Sequence, residues 1–303
     1  MGFLGKLASS TQQVYPCCIY LIIKGYCMQK LKSSVHVAVP TGFDKDEGLN
    51  TDTTIRHINY LTDHGIQSVL VCGSTDEQNS LTLAEKLALL DSLNQSTTNK
   101  NLEIIFGVSS IRQKDAVKLA IVTNNTPAIC GVLLGFPPYI RPTQQEAIIY
   151  AESILKELPD KAIIIYNHPT RTGFDLSEDS LVYLINHYPN IVGVKECSDL
   201  NRVSSVKNKI DRELDFYIGG DLDIDNHLAH GFNKLSSIVG NLYPEQVLSY
   251  FSDIRQGKNT DKYHSLIQEW QSLLASRAIP KIKEQIAKTE GIPMSTSRSP
   301  IGN

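Results

Sequence analysis

The residue of this chain with the clearest capacity for covalent chemistry is Lys195, which ends the almost wholly apolar run 191–195. An ammonium group is costly to place beside buried aliphatic side chains unless it is paired or has lost its proton. A lysine that readily loses its proton can attack a carbonyl carbon and form an imine. Taken alone, the position favours a simpler interpretation, in which the side chain follows the strand end and reaches water.

Other polar side chains with chemical potential also follow apolar runs. They carry hydroxyl, phenol and guanidinium groups, and they are Ser74, Thr75, Tyr139, Tyr166 and Arg171. If the runs are parallel strands of one barrel, their carboxyl ends meet at a single mouth, and these groups converge on the end of the strand that carries Lys195. This shared placement is what favours a catalytic interpretation of the lysine.

The elements that must position these residues alternate regularly. From residue 36 onward, short runs rich in β-branched residues alternate with amphipathic stretches, which predicts parallel pairing and closure into a (β/α)8 barrel. The alternative is an open doubly wound sheet, but no G-x-G-x-x-G segment follows the first run. The predicted strands are 36–40, 67–73, 102–108, 128–136, 162–168, 191–197, 216–220 and 235–241.

The barrel does not account for the whole chain. We expect residues 1–33 to form an extension outside the core, residues 34–257 the catalytic barrel, and residues 258–303 a C-terminal helical segment with a polar tail. Helical patterns at 261–274 and 279–289 exceed the eight strand–helix units and predict this appendage.

Side-chain alternation along the sixth strand predicts where Lys195 points. Gly193 shares its face, whereas Val192, Val194 and Glu196 share the opposite face. If the valines pack on helices, Lys195 points into the barrel and Glu196 cannot pair with it. Lowering a lysine pKa from about 10.4 to near 7 requires about 4 kcal/mol, which desolvation inside a barrel can supply.

Each partner residue also has a purely structural interpretation. Tyr166 could be a core tyrosine with a satisfied hydroxyl, and Arg171 a solvated loop charge. Ser74 and Thr75 could cap a helix, and the proline-flanked Tyr139 could stiffen a loop. The pair His227 and His230 lacks a carboxylate motif and predicts no metal site.

Composition excludes several classes of function. The formal net charge of -3 and the absence of a basic, aromatic-rich stretch argue against nucleic-acid binding. The apolar stretch 14–23 is shorter than the ~20 residues of a membrane span, so no membrane association is expected. The six cysteines form no CxxC pairs, which favours a reducing, cytoplasmic location.

At these residues the chain resembles the dihydrodipicolinate synthase and N-acetylneuraminate lyase family of pyruvate-dependent class I aldolases. The resemblance runs from about His36 to about Ile282. The motifs that carry it are 73–77 (GSTDE), 138–144 (PYIRPTQ), 166–173 (YNHPTRTG), 193–196 (GVKE) and 220–221 (GD).

The resemblance implies specific roles. Lys195 would form the Schiff base with pyruvate, and Ser74 and Thr75 would hold the pyruvate carboxylate. Tyr166 would act as general acid and base. It also implies that no cofactor and no metal are needed.

Further roles follow from the same resemblance. Tyr139 would complete a hydroxyl relay, in many members by reaching into a neighbouring subunit, so a homo-oligomer, either a tetramer or a dimer, is expected. Arg171 would bind the carboxylate of aspartate semialdehyde, and Gly220 and Ser236 are assigned to substrate binding.

Three departures from the family pattern stand out. Asp76 replaces a usual glycine and places a carboxylate near the anion-binding loop, where it could oppose pyruvate. Lys234 and Ser236 replace a glycine and an apolar residue in the eighth strand and could reshape the pocket. The chain also ends without the last helix of the family, which bears on the packing of the helical appendage.

The expected function is a lyase that condenses pyruvate with an aldehyde, foremost 4-hydroxy-tetrahydrodipicolinate synthase acting on aspartate semialdehyde. The close alternative is N-acetylneuraminate lyase or another 2-keto acid aldolase. An alternative of a different class is a catalytically silent, ligand-binding barrel.

Overall fold

Eight parallel strands close into a barrel in the computed structural model, which describes residues 19–23, 26–96 and 101–302. The predicted (β/α)8 architecture is therefore confirmed, and the last strand pairs with the first. An antiparallel hairpin, β1 (Ile19–Ile23) and β2 (Tyr26–Lys30), precedes the barrel. The barrel strands are β3 (Val35–Ala38), β4 (Ser68–Val71), β5 (Glu103–Val108), β6 (Ile129–Gly135), β7 (Ala162–Asn167), β8 (Ile191–Glu196), β9 (Asp215–Ile218) and β10 (Lys234–Ser237).

Helices connect the strands and cover the outside of the barrel. Two of the connecting helices begin with reciprocal capping boxes, in which Thr82 and Thr143 exchange hydrogen bonds with Glu85 and Glu146. The helices are α1 (Thr51–Asp63), α2 (Leu83–Gln95), α3 (Gln113–Asn124), α4 (Gln144–Leu155), α5 (Pro169–Thr172), α6 (Glu178–His187), α7 (Arg202–Lys207), α8 (Ile224–Ala229), α9 (Pro244–Arg255), α10 (His264–Leu274) and α11 (Ala278–Thr289). None of the helices described is long and apolar enough to cross a membrane.

The floor of the barrel is closed by the residues just before β3. Leu31 is buried in the small apolar cluster inside the barrel. The backbone amides of Lys32 and Ser33 donate to the Glu103 carboxylate at 2.6 and 3.1 Å. The end of the predicted extension thus contacts the barrel directly, whereas its residues 1–18 and 24–25 lie outside the described part. The division of the chain into domains stays a prediction.

A bulge in β8 changes the alternation expected from the sequence. The pairing of β7 with β8 shifts at Val192, and this side chain packs against the interior cluster, whereas Val194 belongs to the outer core. The prediction that Val192 and Val194 share one face of the strand was therefore wrong. A Cβ on Gly193 would lie 2.8 Å from Cε2 of Tyr217, so glycine makes room for that ring rather than for Lys195.

The last barrel strand is shorter than predicted. It ends at Ser237, and residues 239–241 form a single 3-10 turn. The reason is the buried carboxylate of Asp221, which accepts hydrogen bonds from the amides of Ile238 and Val239 at 2.8 and 3.1 Å. These amides are therefore held away from a continued strand ladder.

Candidate active site

Lys195 lies inside the barrel mouth, as the sequence predicted. Strand register places it beside Tyr166 on β7 and Tyr217 on β9. Lys195 is only 6% exposed, and its Nζ donates to Oγ of Ser236 at 2.7 Å. The same Nζ lies 4.9 Å from the ring centroid of Tyr166. The amine is thus held among hydroxyl and aromatic groups of three neighbouring strands.

The surroundings of Lys195 favour its neutral form. Burial lowers the pKa of the amine, although Cys197, Asp221 and Asp76 act in the opposite direction. No carboxylate in the described part of the chain forms an ion pair with it. Burial without a paired anion is the arrangement that promotes loss of the ammonium proton.

Glu196, the residue next to the lysine, points away from it, as predicted. Its carboxylate forms an ion pair with Arg202 at 3.4 Å and accepts a hydrogen bond from Nδ2 of Asn167 at 3.0 Å. The carboxylate is therefore satisfied outside the barrel interior and leaves Lys195 without a counter-ion.

The loop after β4 brings a hydroxyl group to the tyrosine. Oγ of Ser74 lies 3.4 Å from Oη of Tyr166, so the two can share a proton once a substrate draws them together. Burial raises the pKa of the Tyr166 phenol, while Ser74 and Arg171 oppose that rise. Thr75 is buried beside Ser74 in the same loop.

A cavity of about 340 Å³ opens at this end of the barrel. Ser74, Tyr166 and Arg171 line it. Arg171 is the single charged side chain among the described residues of this lining. It is exposed, and none of the ion pairs in the described part of the chain involves it. A negatively charged substrate therefore has one obvious partner here.

A second cavity of about 340 Å³ lies at the end of β8. Its lining includes His168, Cys197, Gly220 and Asp221. Burial lowers the pKa of the His168 imidazole to about 4, so this ring is neutral at ordinary pH. Lys195 lines neither cavity, although the end of its strand β8 contributes Glu196 to the lining of the second one.

The described residues contain no group of three or more His, Cys, Asp or Glu side chains that could hold a metal ion. The histidines His227 and His230 instead each bond through Nδ1 to a backbone carbonyl in their own helical segment, at 2.8 and 2.7 Å.

A family model described as the dihydrodipicolinate synthetase family matches residues 31–303. The chain belongs to this family. Its members are class I aldolases and lyases, and the chain is an enzyme of that type.

Two curated relatives and two solved structures are similar to this chain. The chain is 29% identical over 275 residues to a 4-hydroxy-tetrahydrodipicolinate synthase of Methanosphaera stadtmanae, covering 88% of this chain and 91% of that protein. It is 25% identical to the enzyme of the same name from Limosilactobacillus reuteri, covering 87% and 86%. Among solved structures, a sialic acid aldolase of Ruminococcus gnavus superimposes with a TM-score of 0.81 at 21% identity, covering 88% and 90%. The dihydrodipicolinate synthase of Aquifex aeolicus gives 0.79 at 23% identity, covering 88% and 91%.

Most of the site residues predicted from the sequence lie close together in the structure. Lys195, Tyr166, Ser74 and Ser236 form one contact group, with Thr75 in the adjoining loop. Arg171 lines the first cavity and Gly220 the second. Ser236, assigned to substrate, lies fully buried as the hydrogen-bond acceptor of the lysine.

Tyr139 is the exception within the single chain. It is 88% exposed and does not line either cavity. Its backbone φ is 75°, in the left-handed region that bulky residues rarely adopt, and its amide donates to the Thr172 carbonyl at 3.0 Å. The structure therefore brings Tyr139 to neither cavity of its own chain.

The surroundings of Asp76 and Lys234, two departures from the family pattern, limit their effect on the site. Burial raises the pKa of the Asp76 carboxyl to about 8, so it is largely protonated at neutral pH and opposes an anion less than a carboxylate would. Its Oδ2 accepts from the Gly73 amide at 2.7 Å. Lys234 lies away from the mouth, where Nζ pairs with Asp215 at 3.0 Å and donates to the Leu31 carbonyl at 2.8 Å.

Sequence reasoning missed two contributors to the site. A Cβ on Gly219 would lie 2.1 Å from Sγ of Cys197 and 3.6 Å from Cε of Lys195, so glycine is required beside the lysine. The Gly-Gly-Asp run at 219–221 was the available signal. Ile301 lines the first cavity from the far end of the chain, and no local pattern indicates this.

Proposed function

We propose that this enzyme condenses pyruvate with an aldehyde through an imine on Lys195, and that the aldehyde is aspartate semialdehyde. It would then be a 4-hydroxy-tetrahydrodipicolinate synthase, the name that relatives in Methanosphaera stadtmanae and Limosilactobacillus reuteri carry. The observation that carries the proposal is a buried amine without a carboxylate partner, next to a tyrosine–serine pair at a barrel mouth.

The proposed reaction begins at the lysine. The neutral amine of Lys195 attacks the keto carbon of pyruvate, a carbon–nitrogen bond forms, and the keto oxygen leaves as water. Loss of a methyl proton then gives an enamine, whose carbon attacks the aldehyde carbon while the aldehyde oxygen takes up a proton. Tyr166, in contact with Ser74, is positioned to carry these protons.

Charge complementarity supports a carboxylated aldehyde. Ser74 and Thr75, with their backbone amides, would hold the carboxylate of pyruvate. The exposed guanidinium of Arg171 would then bind the carboxylate of the second substrate, because it is the charged group in the lining of the first cavity.

A retro-aldol lyase acting on a sugar-derived 2-keto acid is the second candidate. It is favoured by the second cavity, which adjoins β8 and offers room for a longer chain near His168 and Gly220. The acid group of Asp221 there is engaged by the hydroxyl of Ser237 at 2.5 Å and by two backbone amides. It is therefore less able to bind sugar hydroxyls, and the condensing enzyme remains our proposal.

We also propose that Tyr139 acts in the site of a neighbouring copy in a homo-oligomer. Mixing a Lys195→Met variant with a Tyr139→Phe variant tests this directly. If Tyr139 acts across an interface, hybrid oligomers contain sites with an intact lysine and an intact tyrosine from different chains, and activity returns. If mixing under subunit exchange restores no activity, the tyrosine does not act in trans.

Borohydride trapping tests the imine itself. Incubation with pyruvate followed by reduction should give one stable adduct per chain, located on Lys195 by peptide mass mapping. Absence of the adduct would exclude both enzyme candidates and favour a silent, ligand-binding barrel.

A variant of Arg171 tests whether the second substrate is a carboxylated aldehyde. Replacement of Arg171 by Ala should lower kcat/KM for aspartate semialdehyde about 30-fold, in the range of a lost hydrogen bond to a charged group. Adduct formation with pyruvate should remain. The matched control is Arg112→Ala, since the Arg112 side chain is 73% exposed and lies outside both cavities. An unchanged kcat/KM in Arg171→Ala would remove the argument for a carboxylated aldehyde.

A further inference from the structure

The segment after α11 folds back onto the barrel mouth. We define residues 292–302 as the C-terminal strap. Ile292, Met294 and Ser297 are buried, and the Met294 carbonyl accepts from the amide of Phe43 at 3.1 Å. The sequence indicated only a polar tail here, because nothing in residues 294–303 forms a periodic apolar pattern. The strap is an integral layer of the fold.

Arg298 fastens the strap through several groups at once. Its guanidinium pairs with the Glu85 carboxylate and donates to the carbonyls of Ser80 and Glu47 at 2.8 and 2.9 Å. Its backbone amide donates to Oε2 of Glu77 at 3.0 Å. Hydrogen bonding to Arg298 also lowers the pKa of Glu85 to about 2, as expected for a tightly engaged carboxylate.

The strap shares an anchor with the loop that carries Ser74. The buried Glu77 pairs with Lys283 of α11 at 2.8 Å, and its amide donates to the Ser74 carbonyl at 3.2 Å. Lys283 in turn donates to the strap carbonyl of Thr296 at 3.2 Å. One carboxylate therefore connects the proposed pyruvate-binding loop, the last helix and the strap.

This arrangement places Ile301 in the wall of the first cavity. The Arg298 carbonyl accepts from the amides of Ile301 and Gly302 at 3.0 and 3.2 Å, which turns the chain back toward the mouth. Ile301 lines the same cavity as Arg171 and is 44% exposed, so part of its aliphatic side chain faces that space. An apolar wall beside a single cation suits a substrate with one charged end and a short carbon chain.

We propose that Ile301 is a specificity-determining residue, held by Arg298, that limits the second substrate to short carboxylated aldehydes. The inference rests on the proposed function, because it concerns the partner that joins the pyruvate imine. The Arg171 guanidinium sets where the carboxylate binds, and the strap sets how long a chain fits beside it.

A series of straight-chain ω-oxo acids of increasing length tests this inference. The probes are the semialdehydes of succinate, glutarate and adipate, each assayed with pyruvate. Ile301→Ala should raise kcat/KM for the adipate compound relative to the succinate compound about tenfold, the order expected for removing methylene groups from an apolar pocket wall. Arg298→Ala should shift the ratio in the same direction by releasing the strap.

Calorimetry supplies the same length profile without turnover. Succinate, glutarate and adipate are titrated into the pyruvate-loaded, borohydride-reduced wild-type and Ile301→Ala proteins, and the ratio of their Kd values should shift in the same sense. Identical length profiles, or no binding of any of the three, would overturn the inference. A shift in Ile301→Ala without one in Arg298→Ala would overturn the role of the arginine.

The control variant is Ile149→Ala, which removes an aliphatic side chain of 50% exposure on α4, outside both cavities. Its length profile should match that of the wild type. Failure of the proposed function is distinguishable, since it removes the pyruvate adduct on Lys195 in every protein, whereas failure of this inference leaves the adduct and abolishes only the length effect.

Discussion

Two lysines lie inside the same barrel and are buried to the same extent, yet their surroundings differ. Lys195 at the mouth and Lys234 toward the floor are each 6% exposed. Lys234 pairs with Asp215 at 3.0 Å, whereas the hydrogen-bond acceptor of Lys195 is the neutral hydroxyl of Ser236 at 2.7 Å. Burial alone therefore does not distinguish these two lysines. The type of partner does.

The physical reason lies in the cost of desolvating a charge. A buried ammonium with a carboxylate at contact distance recovers much of that cost through Coulomb attraction and stays charged. A buried ammonium whose partner is a hydroxyl recovers little, so its pKa falls. Burial lowers the pKa of Lys195, and more distant acids reverse only part of this effect.

The strongest way to break the comparison is to replace each lysine by methionine, which has a similar length and no charge. Lys195→Met should lose at least about 10³-fold in kcat, since no nucleophile remains, while its Tm stays the same or rises. Lys234→Met should keep the pyruvate adduct but lose about 3 kcal/mol of stability, because the Asp215 carboxylate loses its partner. Denaturant unfolding and borohydride trapping measure the two effects.

The reverse pattern would refute the distinction between the two lysines. A Lys234→Met protein that folds normally but forms no adduct would place the floor lysine in the chemistry. A Lys195→Met protein that retains turnover would remove the imine mechanism.

A somewhat smaller effect on kcat should distinguish Tyr166 from Tyr217, the two tyrosines that pair with Lys195 on the neighbouring strands. Tyr166→Phe should lower kcat about 10²- to 10³-fold, the usual range for a general acid–base group. Tyr217→Phe should leave kcat unchanged, because the buried Tyr217 hydroxyl has no hydrogen-bond partner among the described residues. Removing an unsatisfied hydroxyl should also leave stability equal or higher. Steady-state kinetics of both variants checks this, and equal losses of kcat would contradict it.

The smallest effect concerns Asp76, and it depends on pH. Its pKa of about 8 means that the carboxyl is neutral below that pH and anionic above it. The anion would repel pyruvate and favour the charged form of Lys195, so the wild-type KM for pyruvate should rise about threefold from about pH 7 to pH 9 relative to Asp76→Asn. Parallel KM profiles of the two proteins would contradict this role.

The same residue gives a stability test with a definite sign. An acid whose pKa is raised on folding keeps its proton in the folded state while the unfolded chain has released it, so stability falls as pH rises between about 4 and about 8. We therefore expect the Tm of Asp76→Asn to increase relative to the wild type across this window. The difference should be measured by thermal unfolding in matched buffers, and a constant difference would argue against a raised pKa.

The barrel was predictable because local patterns specify it. Eight β-branched runs separated by amphipathic helices give alternating parallel strands, and the handedness of the connections gives closure. The placement of Lys195, Tyr166 and Ser74 at one mouth followed from the same reasoning. The bulge at Val192 was not predicted, because one additional residue reverses the alternation of side chains between the two faces without leaving a signal in the composition.

What the amino-acid sequence determined by itself was the order of the elements and the chemical groups at the strand ends. Only the tertiary structure decided which of the two barrel lysines, Lys195 and Lys234, has a carboxylate partner, because Asp215 and Lys234 come together through packing of different strands. It also decided that the last residues return to the mouth, where Ile301 meets a cavity formed more than a hundred residues earlier. Ion pairing and burial depend on distances in space, and separation along the chain does not fix those distances.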